Sequence, residues 1–353
     1  MLNQTPEQTR TQAARPARLE LMAAIETRLS GFLTQERARW AEVDHRCLVP
    51  VDAVADLVAA GGKRWRPAFC VSGFLAAGGP EALTGIVLDA AAAVELVHAA
   101  ALLHDDVLDD SPLRRGTPTA HTKHAAAHAA KGWLGESRRF GEGTAILAGD
   151  LAMVYAGRLT AALPPAARPV WDDMLTEIQV GQYLDMAVAA ECVVDSQLSR
   201  WVAVCKSGRY SIHRPLLLGA AIAGRPELAG GFAEYGEALG EAFQLRDDLI
   251  DTFGDSTATG KPVGSDLAQH KMTLLLAMAC GRDDRLRALV AERDWDVEAI
   301  RGRLLAVGAQ DEIERRIDDL VRRARAAIGR ADLPAGWRDE LTDMAAEVAY
   351  RDR

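Results

Sequence analysis

Apolar residues recur at three- and four-residue intervals from about Leu19 to the end of the chain, and no alternating strand pattern of comparable length interrupts them. Leu19, Met22, Ile25, Leu29 and Leu33 make an early stripe, and Ile313, Ile317, Leu320, Val321 and Ala324 a late one. This is the spacing of helices that bury one face. Glycine and proline punctuate the chain at Gly61-Gly62, Gly78-Gly79-Pro80, Ser111-Pro112, residues 132–143, Pro164-Pro165, 224–226, 254–264 and 333–336, leaving helix-length segments between. The most apolar stretch, 88–103, contains Asp89, Glu95 and His98 and is too short to span a bilayer, so it predicts a buried helix and no transmembrane segment. The expected fold is all-α, a single-domain helical bundle over residues 19–353. Residues 1–18, rich in Gln, Thr, Arg and Pro, lack the apolar core of a secretory signal and read as a disordered lead-in.

Composition narrows the class without naming a function. Of 353 residues 49% are apolar, mostly alanine and leucine, and only 5% aromatic, which favours helix over sheet. The formal net charge of -9 argues against a nucleic-acid partner, whose binding site would be basic. Five scattered cysteines with no Cys-x-x-Cys pair argue against zinc or a disulfide framework and point to a reducing, cytoplasmic setting.

One acidic spelling occurs twice, Asp105-Asp106-Val107-Leu108-Asp109 and Asp247-Asp248-Leu249-Ile250-Asp251, 142 positions apart. On a helix, 100° per residue places the three carboxylates of each copy in one arc. A single DDxxD in an acidic helical protein is more often a solvated face, but both copies are embedded in apolar sequence and so border a core. Carboxylates crowded this closely call for cations, and the pattern lacks the alternating ligands and obligatory glycine of a calcium EF-hand. Magnesium binds through a few carboxylates together with substrate phosphate oxygens, which points to an enzyme handling phosphate.

Basic residues beside turns supply the complement. Lys63, Arg64 and Arg66 follow Gly61-Gly62, and Arg114-Arg115 closely follows the first acidic copy; arginine forks match phosphate oxygens. The Gly-rich run ending in Gly260-Lys261 fails as a nucleotide-binding P-loop. Five residues separate Gly254 from Gly260, Pro262 replaces the hydroxyl residue, and no strand precedes it. His104 abuts the first copy, where a helix contact outweighs magnesium ligation because that ion prefers oxygen.

These segments resemble the trans-type isoprenyl diphosphate synthases. GGKRWRP, ELVHAAALLHDDVLDDSPLRRG, AILAGD, GQYLD, KSGRYS, FQLRDDLIDTFGD and TGKPVGSDL occur in the family's order from about Gly61 to Leu276. RRFGEGTAILAGDLA and RPLLLGA look most like geranylgeranyl diphosphate synthases of high-GC bacteria. The resemblance implies helices around a deep central cavity, with the two acidic motifs facing each other across its mouth. Asp105, Asp106, Asp109, Asp247, Asp248 and Asp251 would hold Mg2+, three ions per active site, on an allylic diphosphate. Arg114, Lys206, Lys261 and Lys271 would add positive charge there, with Ser207 and Gln244 alongside. Lys63, Arg66, His98 and Arg115 would hold isopentenyl diphosphate. Gln182 and Asp185 of GQYLD would face the cavity. His270 stands where the family commonly has glycine, and Ser207 where it often has threonine.

The resemblance further implies condensation of isopentenyl diphosphate with a dimethylallyl, geranyl or farnesyl diphosphate, by a homodimer. Family members that stop early carry bulky aromatics four and five residues before the first motif. Here those positions are Ala101 and Ala100, about 6 to 7.5 Å farther along the helix, with Val97, Val94 and Ala93 next. Leu184 or Val188 would be candidates for closing the floor from another helix. This predicts a geranylgeranyl product. The alternatives are a class I terpene cyclase, which lacks the Lys63 and Arg66 cluster and the second DDxxD, and a non-catalytic subunit of a heteromeric synthase, which complete acidic motifs disfavour.

Overall fold

The computed structural model describes residues 14–254 and 264–351. It is all-α, as the periodicity predicts, and the only strands among the described residues are two of two residues each. The described residues form two compact units, one of Ala17–Val71 and Pro80–Pro164, the other of Ser72–Gly79, residues 165–254 and 264–351, and residues 14–16.

Helix α1 spans Ala14–Ala41 and belongs to the first unit from Ala17 on. Residues 14–18 are therefore helical, while the rest of the expected lead-in lies outside the described residues. Ile25, Leu29 and Leu33 of the early stripe are buried, joined by Phe32, but Leu19 is exposed. Helices α2 (Leu48–Ala59) and α3 (Trp65–Ala76) follow. The central helix α4, Thr84–Leu108, is 25 residues long, longer than its apolar stretch indicated and, by length and composition, enough to cross a membrane. Its apolar sides are filled by protein: Val87, Ala90 to Val94, Leu96 and Val97 are all buried, and the run of alanines lets neighbouring helices come close. Helices α5 (Ala120–Ala130) and α6 (Ser137–Leu159) complete the unit, with α6 packed on α4, α5 and α2. The Glu136 carboxylate caps α6 by accepting from the amides of Arg138 and Arg139. Gly141 and Gly143 are thus helical, so the break expected over 132–143 ends sooner. At Gly141 an added Cβ would lie 2.2 Å from the His121 carbonyl, and close approach explains the glycine.

The second unit contains α7 (Arg168–Glu191), α8 (Ser196–Val202), a π-helix (Ala203–His213), α9 (Arg214–Ile222) and α10 (Ala229–Phe253). After the undescribed segment come α11 (Ser265–Ala268), α12 (Leu274–Cys280), α13 (Asp284–Ala291), α14 (Val297–Ala306), α15 (Ala309–Arg330) and α16 (Ala335–Ala349). Helix α10 is its axis, packed by α15, the π-helix, α9 and α16. The late stripe on α15 is buried throughout, and each of its larger side chains contributes about 1.5–3 kcal/mol on burial. The π-helix reaches α10 through facing glycines. A Cβ on Gly208 or Gly240 would fall 2.7 or 2.6 Å from the opposite backbone.

Candidate active site

The first acidic motif ends α4. Asp109 is its C-cap, Asp110 takes the left-handed conformation (φ 48°), and the amides of Asp110 and Ser111 return to the carbonyls of Val107 and Asp106 at 3.2 and 2.9 Å. This reciprocal closure stops the helix immediately after the third carboxylate. The chain then makes a hairpin, Leu113–Arg114 against Thr117–Pro118, around Arg115 and Gly116, both at positive φ (52° and 76°), the conformation of a type I′ turn. The turn folds both arginines back on the unit.

The three carboxylates do not share one environment. Asp105 and Asp109, four residues apart on one face, are half-buried, whereas Asp106 is buried and accepts three hydrogen bonds from Arg114 at 2.7–3.0 Å. The Arg115 guanidinium donates to the carbonyls of Gly61 and, at 3.3 Å, Ala60, tying the hairpin to the Gly61-Gly62 turn. Arg64 pairs with Glu95 and Glu26 and donates to the Val58 carbonyl, a structural role that sets it apart from exposed Lys63 and half-buried Arg66. Burial, followed by the positive fields of Arg66, Arg114, Arg115 and Arg64, pushes the His98 pKa well below its ordinary value. His98 is therefore neutral at physiological pH, in a pocket of positive potential suited to an anion. The His104 Nε2 donates to the Ile146 carbonyl at 3.1 Å, and a Cβ on Gly149 would collide with its ring; it is a helix contact, as expected. Before the motif on α4, Val97 and Ala100 are buried and Ala101 half-buried.

The second motif lies in the last two turns of α10 and divides in the same way. Asp248 is buried; Gln244 donates to its Oδ1 at 2.8 Å, and Oδ2 has no partner. Burial, with Asp266 and Asp247 adding to it, raises the Asp248 pKa well above the carboxylate range. Asp247 is 46% exposed and pairs with Arg351, while Asp251 accepts from the Ser265 hydroxyl and, at 3.0 Å, the Asp266 amide. Lys206, on the π-helix, pairs with Asp185 at 2.7 Å. A Cβ on Gly181 would stand 2.9 Å from the Lys206 amide, so that glycine lets α7 approach the lysine. Ser207 beside it is half-buried. His270 takes the left-handed conformation (φ 57°) that glycine commonly supplies, and the Lys271 amide still closes on the Asp266 carbonyl. The Lys271 ammonium lies 3.8 Å from the Asp266 carboxylate. Lys261 lies outside the described residues.

Asp266 and Arg351 are the residues sequence reasoning missed. Asp266 sits in TGKPVGSDL, and its pKa is pushed up to about 7 by burial first and then by Asp251, with Asp185 adding to this and Lys271 and Lys206 opposing it. Arg351 gave no signal beyond its charge. Among the described residues no three His, Cys, Asp or Glu side chains form a ready metal cage. The donors fit magnesium nonetheless: they are all carboxylate oxygens, offered in small numbers, and Asp248 keeps a buried oxygen unpartnered.

Comparison with known proteins agrees with this chemistry. The Polyprenyl synthetase family model matches residues 50–304, and the chain belongs to that family. It is 33% identical over 232 residues to a short chain isoprenyl diphosphate synthase of Methanothermobacter thermautotrophicus, covering 64% of this chain and 65% of that one. It is 31% identical to the nonaprenyl diphosphate synthase of Mycobacterium tuberculosis, with 78% of each chain covered. A crystal structure of geranylgeranyl pyrophosphate synthase from Corynebacterium glutamicum, complexed with isoprenyl diphosphate and magnesium, superposes with a TM-score of 0.87 at 36% identity, over 94% of this chain and 99% of that one.

Proposed function

We propose that this chain is a magnesium-dependent trans-prenyltransferase that condenses isopentenyl diphosphate with an allylic diphosphate, and that its product is geranylgeranyl diphosphate. The observation that carries the product length is the pair Ala100 and Ala101, one turn before Asp105, where small side chains leave room for a chain longer than fifteen carbons.

In this reading Arg66, Arg115, Lys63 and neutral His98 hold the diphosphate of isopentenyl diphosphate. Lys206, Lys271 and Lys261, with Arg114, Ser207 and Gln244, receive the allylic diphosphate. Asp105, Asp109, Asp247 and Asp251 would hold magnesium, with Asp106 and Asp248 behind them and Asp266 beside them; the ions supply Lewis-acid stabilisation of the departing pyrophosphate. The cationic side chains stabilise the same developing charge, so the allylic carbon–oxygen bond breaks towards a carbocation. The isopentenyl double bond attacks that carbon, and a proton leaves to the released pyrophosphate. No protein nucleophile is required.

We further propose a homodimer. Phe140, Leu147 and Val154 on α6 are exposed at seven-residue spacing, which sets them on one side of the helix as an apolar seam.

The test is elongation by purified protein given magnesium, isopentenyl diphosphate and each of the dimethylallyl, geranyl and farnesyl primers, with products resolved by chromatography. A twenty-carbon product is expected, and Ala101→Phe should shorten it. No elongation with any primer sinks the assignment; a product of another length sinks only the geranylgeranyl reading.

A further inference from the structure

The C-terminal end of the described chain is fastened to the second acidic motif by several contacts. Arg246, buried on α10 between Gln244 and Asp247, donates from Nε to the Ala349 carbonyl at 2.8 Å, and its two terminal nitrogens are held by Glu314 at 2.7 Å each. The Tyr350 hydroxyl donates to Asp318 at 2.8 Å. These ties hold residues 349 and 350 against α10 and α15 without using the Arg351 side chain. Arg351 then lies with its guanidinium carbon 3.8 Å from the Phe243 ring centroid, donates to the Phe243 carbonyl at 3.3 Å and pairs with Asp247, one helical turn on. Its side chain is 9% exposed. A guanidinium stacked on an aromatic face and paired with a carboxylate is an ordered, partly desolvated cation, not a wandering surface arginine.

Resting on the assignment of Asp247 to magnesium, we infer that Arg351 is a tethered counter-cation that competes with the divalent ion for Asp247. A guanidinium and a doubly charged ion on one carboxylate repel strongly at contact distance, so binding of the ion requires the guanidinium to swing away. Because the backbone is held by Arg246 and Tyr350, only the side chain moves. An anionic diphosphate arriving with the metal offers the displaced guanidinium a new partner. Metal alone then binds weakly at this motif, and metal with diphosphate binds without that penalty. Arg351 is a positioning residue here, acting through Asp247.

The test is Mn2+ titration of full-length protein followed by electron paramagnetic resonance, with and without inorganic pyrophosphate, on wild type, Arg351→Gln, Arg351→Lys and Asp247→Asn. Arg351→Gln is expected to bind Mn2+ alone about fivefold tighter than wild type, the size of effect that loss of one such ion pair allows. With pyrophosphate present the difference should fall to within about twofold. Arg351→Lys, which keeps the charge but loses the planar stack, should lie between. Equal or weaker Mn2+ binding by Arg351→Gln, while Asp247→Asn loses a bound ion, overturns the competition and leaves the metal assignment standing. Asp247→Asn that binds Mn2+ as wild type does overturns both.

Discussion

Arg114 holds Asp106 through Nε and Nη2, and both side chains are withdrawn from solvent, at 17% and 5% exposure. The arginine assigned to substrate diphosphate is thus also the counter-charge of a buried carboxylate, with Nη1 left for another acceptor. Arg114→Ala strands Asp106 in the interior and is expected to cost about 3 kcal/mol in urea unfolding, with Asp106→Leu/Arg114→Met recovering most of it. An unchanged unfolding midpoint in Arg114→Ala would confine this arginine to the substrate.

Gly240 inverts the usual effect of a glycine-to-alanine change in a helix. Alanine ordinarily gains about 1 kcal/mol by propensity. Here its Cβ would meet the Gly208 backbone at 2.6 Å, and backbone does not yield as a side-chain tip does. Gly240→Ala should therefore destabilise by about 1–3 kcal/mol, read as a lowered Tm, and should depress activity by shifting the π-helix that carries Lys206.

The helical class, the placement of both acidic motifs on helices and the neighbourhood of Arg114-Arg115 were legible in the sequence, because period and spacing encode them directly. The inward turn of Asp106 and Asp248 was not. Adjacent residues on a helix differ by 100°, enough to send one of two neighbouring carboxylates into the core, and only tertiary packing decides which. The π-helix leaves no periodic mark, since its glycine contacts join segments about thirty residues apart. Asp266 and Arg351 reach the second motif from separate stretches of chain, a proximity that spacing cannot express. The described hairpin at Arg115 was readable only as a turn, because two-residue strands carry no alternation.

The apolar seam on α6 gives the proposed dimer a direct test. Leu147 is 65% exposed and Val154 58%, so a charge at either should leave the folded chain undisturbed while opposing a partner helix. Leu147→Glu/Val154→Glu is expected to elute as a monomer near 38.0 kDa by light scattering, and the wild type at twice that mass. Identical masses for the two proteins would remove the seam from the interface.

Acid sensitivity should trace in part to His213, at the end of the π-helix. The ring is buried at 6% exposure, neither nitrogen has a hydrogen-bond partner, and the Cα is in close contact with Gly236. Burial first, and then the Arg214 charge, lower its pKa from 6.5 to about 4. Because the folded value lies below the unfolded one, the unfolded chain takes up the proton first. The stability contributed by neutral His213 is complete above pH 6.5, and it is lost as pH falls from there to about 4. The full shift corresponds to about 3 kcal/mol. His213→Gln, which cannot take up a proton, should flatten the fall in unfolding free energy over that interval while leaving the value at pH 8 within about 1.5 kcal/mol of wild type. An unchanged slope between pH 6.5 and 4 would place the acid sensitivity elsewhere.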